Sequence, residues 1–402
     1  MASEYVFTSE SVTAGHPDKL CDQISDALVG HILWQDSAAR VVAECAVSTG
    51  ILFVSLKAAT TASIDIPRLA REVILEVGYD RGSFNGRTCT VMTNQLEETA
   101  ATRAGQRDRE SALSELVAHE NVTLFGFACT QTPVLLPLPI WLANRLAQRL
   151  DIVCREHRDD LAPDGKVQVG VVYHDHAPSR IHSLTLVASQ RHPDLPLARL
   201  RQMIIEEVIK PVFEHETLIP DAETRIQINP EGPVVEGGPA LHAGLTGRKT
   251  GADTYGGYAR QSSAALSGKD PTRIDRTGAY AARHAAKSVV AAGLASRCEV
   301  QLSYSIGLRD PVSVRVETFG TGALSDDELS ERVARAFDFS VGGIIRRFDL
   351  TGLAARSRGR LYQRVAAHGH FGRPELVLPW EATDGAEALE VGMKGFSPGG
   401  LR

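Results

Sequence analysis

At 402 residues the chain has room for two or three separately cored domains. A formal net charge of −6 excludes the basic face that a nucleic-acid scaffold needs, no run of about eighteen apolar residues offers a membrane span, and the opening MASEYVFTSE has no basic and apolar leader. The six cysteines are scattered without a CxxC, so a disulfide frame and a zinc ribbon are both excluded, and a reducing, cytoplasmic setting is expected.

Taken in chain order, the predicted elements repeat a theme of helix, hairpin, helix, strand. KLCDQISDALVGHILWQD places Leu20, Ile24, Leu28 and Ile32 at helical spacing. Two strand-like runs, RVVAECAVS and ILFVSLKA, meet at Thr49-Gly50. A helix capped by Asp65 ends near Gly78, and TCTVMTN closes the unit as a strand. The second round runs through PIWLANRLAQRLDIVCREH, the hairpin VQVGVVY and IHSLTLVAS, the helix LARLRQMIIEEVIKPVF and the strand TRIQIN. The third has GAYAARHAAKSVVAAGLA, then CEVQLSYSI and VSVRVETFG, then a helix capped by Ser325. The second helices start near residues 65, 196 and 325, a nearly constant step, which predicts three similar α+β domains, each a sheet with helices on one face.

Two polar stretches interrupt this pattern. Residues 96–116 read as a lid or a solvated connector. Residues 229–272, rich in Gly and Pro, are long for an idle loop and read as a binding segment. Within the latter, SGKDPTRIDR looks like the tail of a phosphate loop, yet Ser263 stands where a first loop glycine is needed and Asp270 follows the lysine. What remains is a cluster of cations and carboxylates: Arg248, Lys249, Lys269, Asp270, Arg273 and Asp275. It suits a polyphosphate with a divalent cation, or a solvated surface. In SESVTAGHPDK, His16 and Asp18 sit at a helix start, where backbone donors favour anions, or where Asp18 merely caps. His174 and His176 in YHDHAPSRIH lack a third ligand in sequence and read as an exposed turn, while His368 and His370 read as packing.

FTSESVTAGHPDK, GLTGRK with DTYGG, SGKDPTRIDR, GAYAARHAAK and GHFGRPELVLPWE, in that order and at matching intervals from about Phe7 to Asp384, closely resemble the S-adenosylmethionine synthetase family. The resemblance implies three interwoven domains around a pseudo-three-fold axis, with boundaries expected at 1–103, 114–233 and 236–384. It also implies a homodimer with active sites at the interface, paired into tetramers in some members. The implied reaction joins methionine to ATP: sulfur attacks the ribose C5′, the whole triphosphate leaves, and it is then cleaved to pyrophosphate and phosphate. Two Mg²⁺ per site and one K⁺ are implied as cofactors. Carried over by motif, His16 stands at the departing 5′ oxygen, Asp18 and Asp275 hold Mg²⁺, and Glu44 is the K⁺ ligand. Asp164 and Lys166 contact ATP, Arg248, Lys249 and Lys269 neutralise its phosphates, and Val234 and Ala265 line the nucleotide site.

The acceptor end departs from the family. Lys57 stands where a glutamate holds the substrate ammonium, and His242 replaces a second carboxylate. Arg273 replaces a lysine, Glu98 aligns with a lid glutamine, and VAHENV brings Glu120 and Asn121 for Asp and Gln, with Ile306 in SYSIG completing that end. Val234 stands where an aromatic residue stacks on adenine, so stacking is lost and only apolar contact remains. Putting a cation and an imidazole where two anions met an ammonium opposes methionine binding. The expectation is therefore either S-adenosylmethionine or an analogue as product. The alternatives are an acidic or ammonium-free acceptor, a phosphohydrolase without acceptor, or a silent partner subunit.

Overall fold

The computed structural model describes residues 4–97 and 113–390. Most of the 96–116 stretch, including Glu98, lies outside the described residues. Among the described residues no helix is long and apolar enough to cross a membrane.

The first unit begins with strand β1 (Glu4–Val12) and helix α1 (Pro17–Gln35), which starts on His16 as N-cap with Pro17 in its first turn. The hairpin of β2 (Arg40–Ser48) and β3 (Ile51–Ala59) follows. Helix α2 (Ile66–Val77) is capped by the Asp65 side chain, which accepts from Arg68 N–H. It stops at Gly78, whose φ of 117° closes the helix in the left-handed region. Strand β4 (Thr90–Glu97) then pairs parallel to β3. The second unit repeats this with β5 (Val122–Cys129), α3 (Leu138–Glu156), β6 (Leu161–His174), β7 (Ala177–Gln190), α4 (Leu197–Met203) and β8 (Arg225–Ile228), the last again parallel to its hairpin neighbour β7. The β6–β7 hairpin is longer than its apolar runs suggest. It turns on Asp175 and His176, both at positive φ, which suits the right-handed twist of the flanking strands. Past α4 the backbone passes through a π-helical stretch, Ile204–Ile209, into α5 (Lys210–Phe213).

The third unit runs from β9 (Val234–Val235) and β10 (Gly244–Leu245) through α6 (Thr250–Asp253), α7 (Ile274–Ala291), β11 (Arg297–Tyr304), β12 (Ser313–Glu317) and α8 (Asp326–Ala336). Here the described residues form no closing strand after the second helix. The second helices start at Ile66, Leu197 and Asp326, each one residue after the predicted start.

Each unit gives away its leading strand. β1 pairs antiparallel with β6 in the second unit's sheet, β5 with β11 in the third, and β10 with β2 in the first. The exchange is cyclic, so each of the three sheets, β1-β6-β7-β8 with β9 also on β7, β10-β2-β3-β4 and β12-β11-β5, takes in a leading strand from another unit. Three hydrophobic clusters sit beneath them. Helix α1 is buried on all sides from Pro17 to Gly30. A Cβ at Gly30 would fall 1.9 Å from the Gly359 carbonyl oxygen, so glycine is what lets the 358–365 segment close over this helix.

Candidate functional site

Helix α1 carries three carboxylates one turn apart, Asp18, Asp22 and Asp26, all buried. At 1.5 Å rise per residue they span about 12 Å along one stripe. Each accepts a backbone N–H from a loop that carries a basic residue. Asp18 Oδ1 takes Leu245 N–H at 3.0 Å, Asp22 Oδ1 takes Gly247 N–H at 2.8 Å, and Asp26 Oδ1 takes Gly268 N–H at 2.8 Å. The helix thus fixes both GLTGRK and SGKD, and with them Arg248, Lys249 and Lys269. Asp18 Oδ2 also meets Lys249 Nζ at 2.7 Å, and Arg248 stands 3.8 Å from Oδ1. Asp26 pairs with Arg276 at 2.5 Å, both fully buried.

The SGKD segment answers the question its sequence raises. It lies along the free edge of β2: Ala43 N–H donates to Gly268 O at 2.8 Å, Asp270 N–H to Val41 O at 3.1 Å, and Val41 N–H to Asp270 Oδ2 at 2.6 Å. Gly268 has φ +80°, and a Cβ there would lie 2.1 Å from Ala43 O. Its amide is taken by Asp26, so this is no cradle of free N–H groups. The segment offers the Lys269 side chain, which stands 3.4 Å from Asp275 Oδ1 at the start of α7. Asp275 Oδ2 is buried without a hydrogen-bond partner.

At the N-terminus of α1, His16 Nδ1 accepts from Asp18 N–H at 3.2 Å, which leaves Nε2 to carry the ring proton. Burial lowers its pKa to about 4, with Lys249 and His242 pushing the same way and Asp164 and Asp18 opposing, so the ring is neutral at pH 7. Burial pushes Asp18 up, but the hydrogen bond from Lys249 and the Leu245 amide hold its carboxyl below the usual range. Asp164, at the start of β6, accepts from Gly238 N–H at 2.8 Å and meets His242 Nε2 at 3.1 Å with the same oxygen. Burial raises Asp164, yet the His242 hydrogen bond and the nearby His16 ring keep it low. The His16 and His242 rings lie 4.9 Å apart, centroid to centroid.

The other expected site residues fall elsewhere. Lys57 and Lys269 flank Val42 in one lateral row, since Val42 pairs with Lys57 across the hairpin and bridges to Lys269 on its other side. Facing residues of adjacent strands share a side, so Lys57 and exposed Glu44 stand on the outer face of the first sheet. His242, expected at the acceptor end, is hydrogen-bonded to Asp164. Arg273 is the N-cap residue of α7, beside SGKD. Lys166 is exposed on β6, opposite Val12, and Val234 pairs with Ser189 two residues before Glu236 N–H reaches Gln190 O. A Cβ on Gly247 would touch Ala265, which puts Ala265 against the GLTGRK turn. Exposed Glu120 and Ile306 are brought together at the end of the third sheet, where Asn121 Oδ1 accepts Ile306 N–H at 2.9 Å. His174 and His176 lie at the exposed end of the β6–β7 hairpin. His368 bonds Asp151 at 2.7 Å and His370 bonds Tyr280 at 2.7 Å, both buried.

Family models for the N-terminal, central and C-terminal domains of S-adenosylmethionine synthetase match residues 4–100, 115–234 and 236–382. The chain belongs to the S-adenosylmethionine synthetase family. Proteins named S-adenosylmethionine synthase from Acaryochloris marina and Gloeobacter violaceus are 45% and 46% identical to it, over 97% and 96% of this chain and 97% and 98% of theirs. One of that name from Microcystis aeruginosa is 44% identical over 97% of this chain and 98% of its own. Against the background of the S-adenosylmethionine synthetase family, sequence reasoning missed Asp22, Asp26 and Arg276, which position the loops. Their signal was present: acids at 18, 22 and 26 fall on one stripe of a helix that also carries buried apolar residues around its circumference.

Proposed function

We propose that this chain is an ATP-dependent adenosyltransferase: a thioether sulfur attacks C5′ of ATP and displaces triphosphate, which is cleaved to pyrophosphate and phosphate. The supporting observation is the tethering of GLTGRK and SGKD to the acid stripe of α1, which lines Arg248, Lys249 and Lys269 along one edge of β2 near His16. A leaving group that departs as a polyanion is stabilised best by cations already fixed where the charge will appear. Neutral His16, with its proton on Nε2, can donate a hydrogen bond to the 5′ oxygen as that bond breaks. Asp164 and Lys166 on β6, with Val234 and Ala265, would bound the nucleoside.

The donor set fits Mg²⁺. Asp275 keeps a buried oxygen without a partner and Asp18 presents a full carboxylate, both hard ligands now paired with lysines that a phosphate would draw away. When bound, Mg²⁺ neutralises charge on the departing triphosphate. Glu44 on the outer sheet face would supply one K⁺ ligand. Lys57, Glu120 and Ile306 stand on other elements than His16, and a second copy laid on the outer face of the first sheet is the arrangement that would bring such residues to the nucleotide, as a homodimer. All six cysteines are free and buried, in keeping with a reducing, cytoplasmic setting.

Methionine is the acceptor that the relatives' name points to. A second reading is favoured by Lys57 on the open face and by His242 at Asp164: an acceptor without an ammonium group. Incubation with ATP, Mg²⁺ and K⁺, with and without methionine, followed by mass spectrometry of all adenosine products, tests both. S-adenosylmethionine with pyrophosphate and phosphate is expected. Phosphate without an adenosylated product would replace adenosyl transfer by plain phosphohydrolysis, and no turnover would indicate a silent subunit.

A further inference from the structure

Two histidines and a carboxylate converge beside the proposed phosphate machinery. One ligand atom each from His16, Asp164 and His242 lies within 4.8 Å of the others, with His242 Nε2 and Asp164 Oδ2 at 3.1 Å. Ligand atoms around a tetrahedral ion with bonds of about 2.0–2.1 Å are separated by a little over 3 Å, so closure requires only small side-chain rotations. Asp164 is 4% exposed, and its Oδ1 is buried with no hydrogen-bond partner, an acceptor held ready where nothing in the protein fills it. The carboxylate is also fixed in place. Asp164 is held by the Gly238 amide. Ligation through His16 Nε2 moves that ring's proton to Nδ1, which gives up the Asp18 N–H it accepts in the metal-free protein.

We infer that His16, Asp164 and His242 form a binding site for a borderline transition-metal dication such as Zn²⁺, distinct in chemistry from the Mg²⁺ ligands Asp18 and Asp275. Two imidazoles and a carboxylate with an open fourth position suit Zn²⁺ or Co²⁺, whereas Mg²⁺ prefers an all-oxygen shell and keeps its waters. Both imidazoles bind as neutral ligands, each with its single ring proton on the nitrogen away from the metal, a tautomer shift through solvent that releases no net proton. Because His16 and Asp164 also belong to the proposed nucleotide site, the dication and ATP exclude each other. That mutual exclusion rests on the proposed nucleotide site; metal binding itself does not.

The test uses the full-length, metal-stripped chain in excess Mg²⁺ without ATP. Zn²⁺ is titrated calorimetrically and Co²⁺ by its visible absorption. One equivalent per chain is expected, with the intense visible bands of a four-coordinate Co²⁺ site. His242→Asn should weaken binding by about tenfold or more, while His242→Asp, which keeps a ligand, should retain binding with a shifted Co²⁺ spectrum. A His174→Ala/His176→Ala variant should bind as the wild type does. Absence of stoichiometric binding, or equal affinity in His242→Asn with its thermal melt preserved, overturns the site. With free Zn²⁺ clamped by a chelating buffer, ATP should lower the bound fraction. Retained metal binding without ATP competition would leave the site standing and displace the nucleotide from His16 and Asp164 instead.

Discussion

At the scale of single residues, Lys269 is the side chain most exposed to test. Its backbone is fixed on the β2 edge opposite Val42, and its ammonium stands 3.4 Å from Asp275. Lys269→Met should leave folding intact and lower the rate of triphosphate displacement by about 10²–10³-fold, the usual loss for removing one preorganised group facing developing charge. A single-turnover assay of adenosine product checks this, and a loss confined to KM would show that Lys269 only binds ground-state ATP. Lys57 tests the acceptor. Lys57→Glu restores a carboxylate on the same outer-face position, so methionine KM should fall by about tenfold, about 1.4 kcal/mol, and the KM of a deaminated analogue should rise. The identity of these residues was legible in the sequence because the motifs carry them at fixed intervals. Their environment was not: nothing in GLTGRK says that its Leu245 and Gly247 amides end on Asp18 and Asp22, since that pairing spans more than two hundred residues.

At the scale of elements, helices α1 and α7 are where charge has been buried for the sake of position. Burial presses Asp26 towards its neutral form, and Arg276, which keeps its proton, holds it back. Asp26→Asn leaves the guanidinium in the core without its counter-ion and should cost about 3–5 kcal/mol of stability in urea unfolding. It should also loosen SGKD, because the Gly268 amide loses its charged acceptor. A merely structural ion pair would lower stability without changing KM for ATP; a positioning role predicts that both move. Helix α7 sets an acid limit. His284 is enclosed by Phe337 and Phe348, and burial lowers its pKa to about 4, with Arg347 adding to the shift and Asp384 opposing it. A histidine whose folded pKa is depressed costs nothing above its unfolded value of 6.5. As pH falls from 6.5 towards 4 the unfolded state takes up the proton first, so stability is lost across that window, by about 3 kcal/mol in all. His370, also pushed down by burial, adds to the same limb. His284→Leu should shrink, without abolishing, the difference between unfolding free energies measured at pH 7 and pH 5; an unchanged difference would assign the limb to other groups.

At the scale of the whole molecule, the three-fold repeat was readable because helix and strand periodicities recur at a constant step, whereas the cyclic exchange of leading strands was not. β10 is a two-residue strand in a glycine-rich loop, and its partner β2 lies some two hundred residues earlier. A short segment carries no pattern that names a distant edge. The first sheet has one covered and one open face. Its inner face packs on α1 and α2 in the second hydrophobic cluster. Its outer face presents Met92, Phe53 and Leu245 with Ala46 in one lateral row, and Leu96 beside Lys57 in another. Phe53 is 40% exposed and Met92 53%, beside Ile51 at 48%, an apolar patch of the kind that marks an interaction surface, while Leu96 stands beyond the polar row of Glu44, Ser55 and Asn94. The proposed homodimer, if formed through this face, would bury that patch and set Lys57 and Glu44 of one copy against the other. Phe53→Asp with Met92→Asp should therefore give a monomer in analytical ultracentrifugation, with its circular dichroism preserved because neither side chain reaches the core. Adenosyl transfer should fall with dimerisation rather than with folding. A double variant that stays dimeric would move the interface to another surface, and one that is monomeric yet fully active would show that a single copy completes its own site.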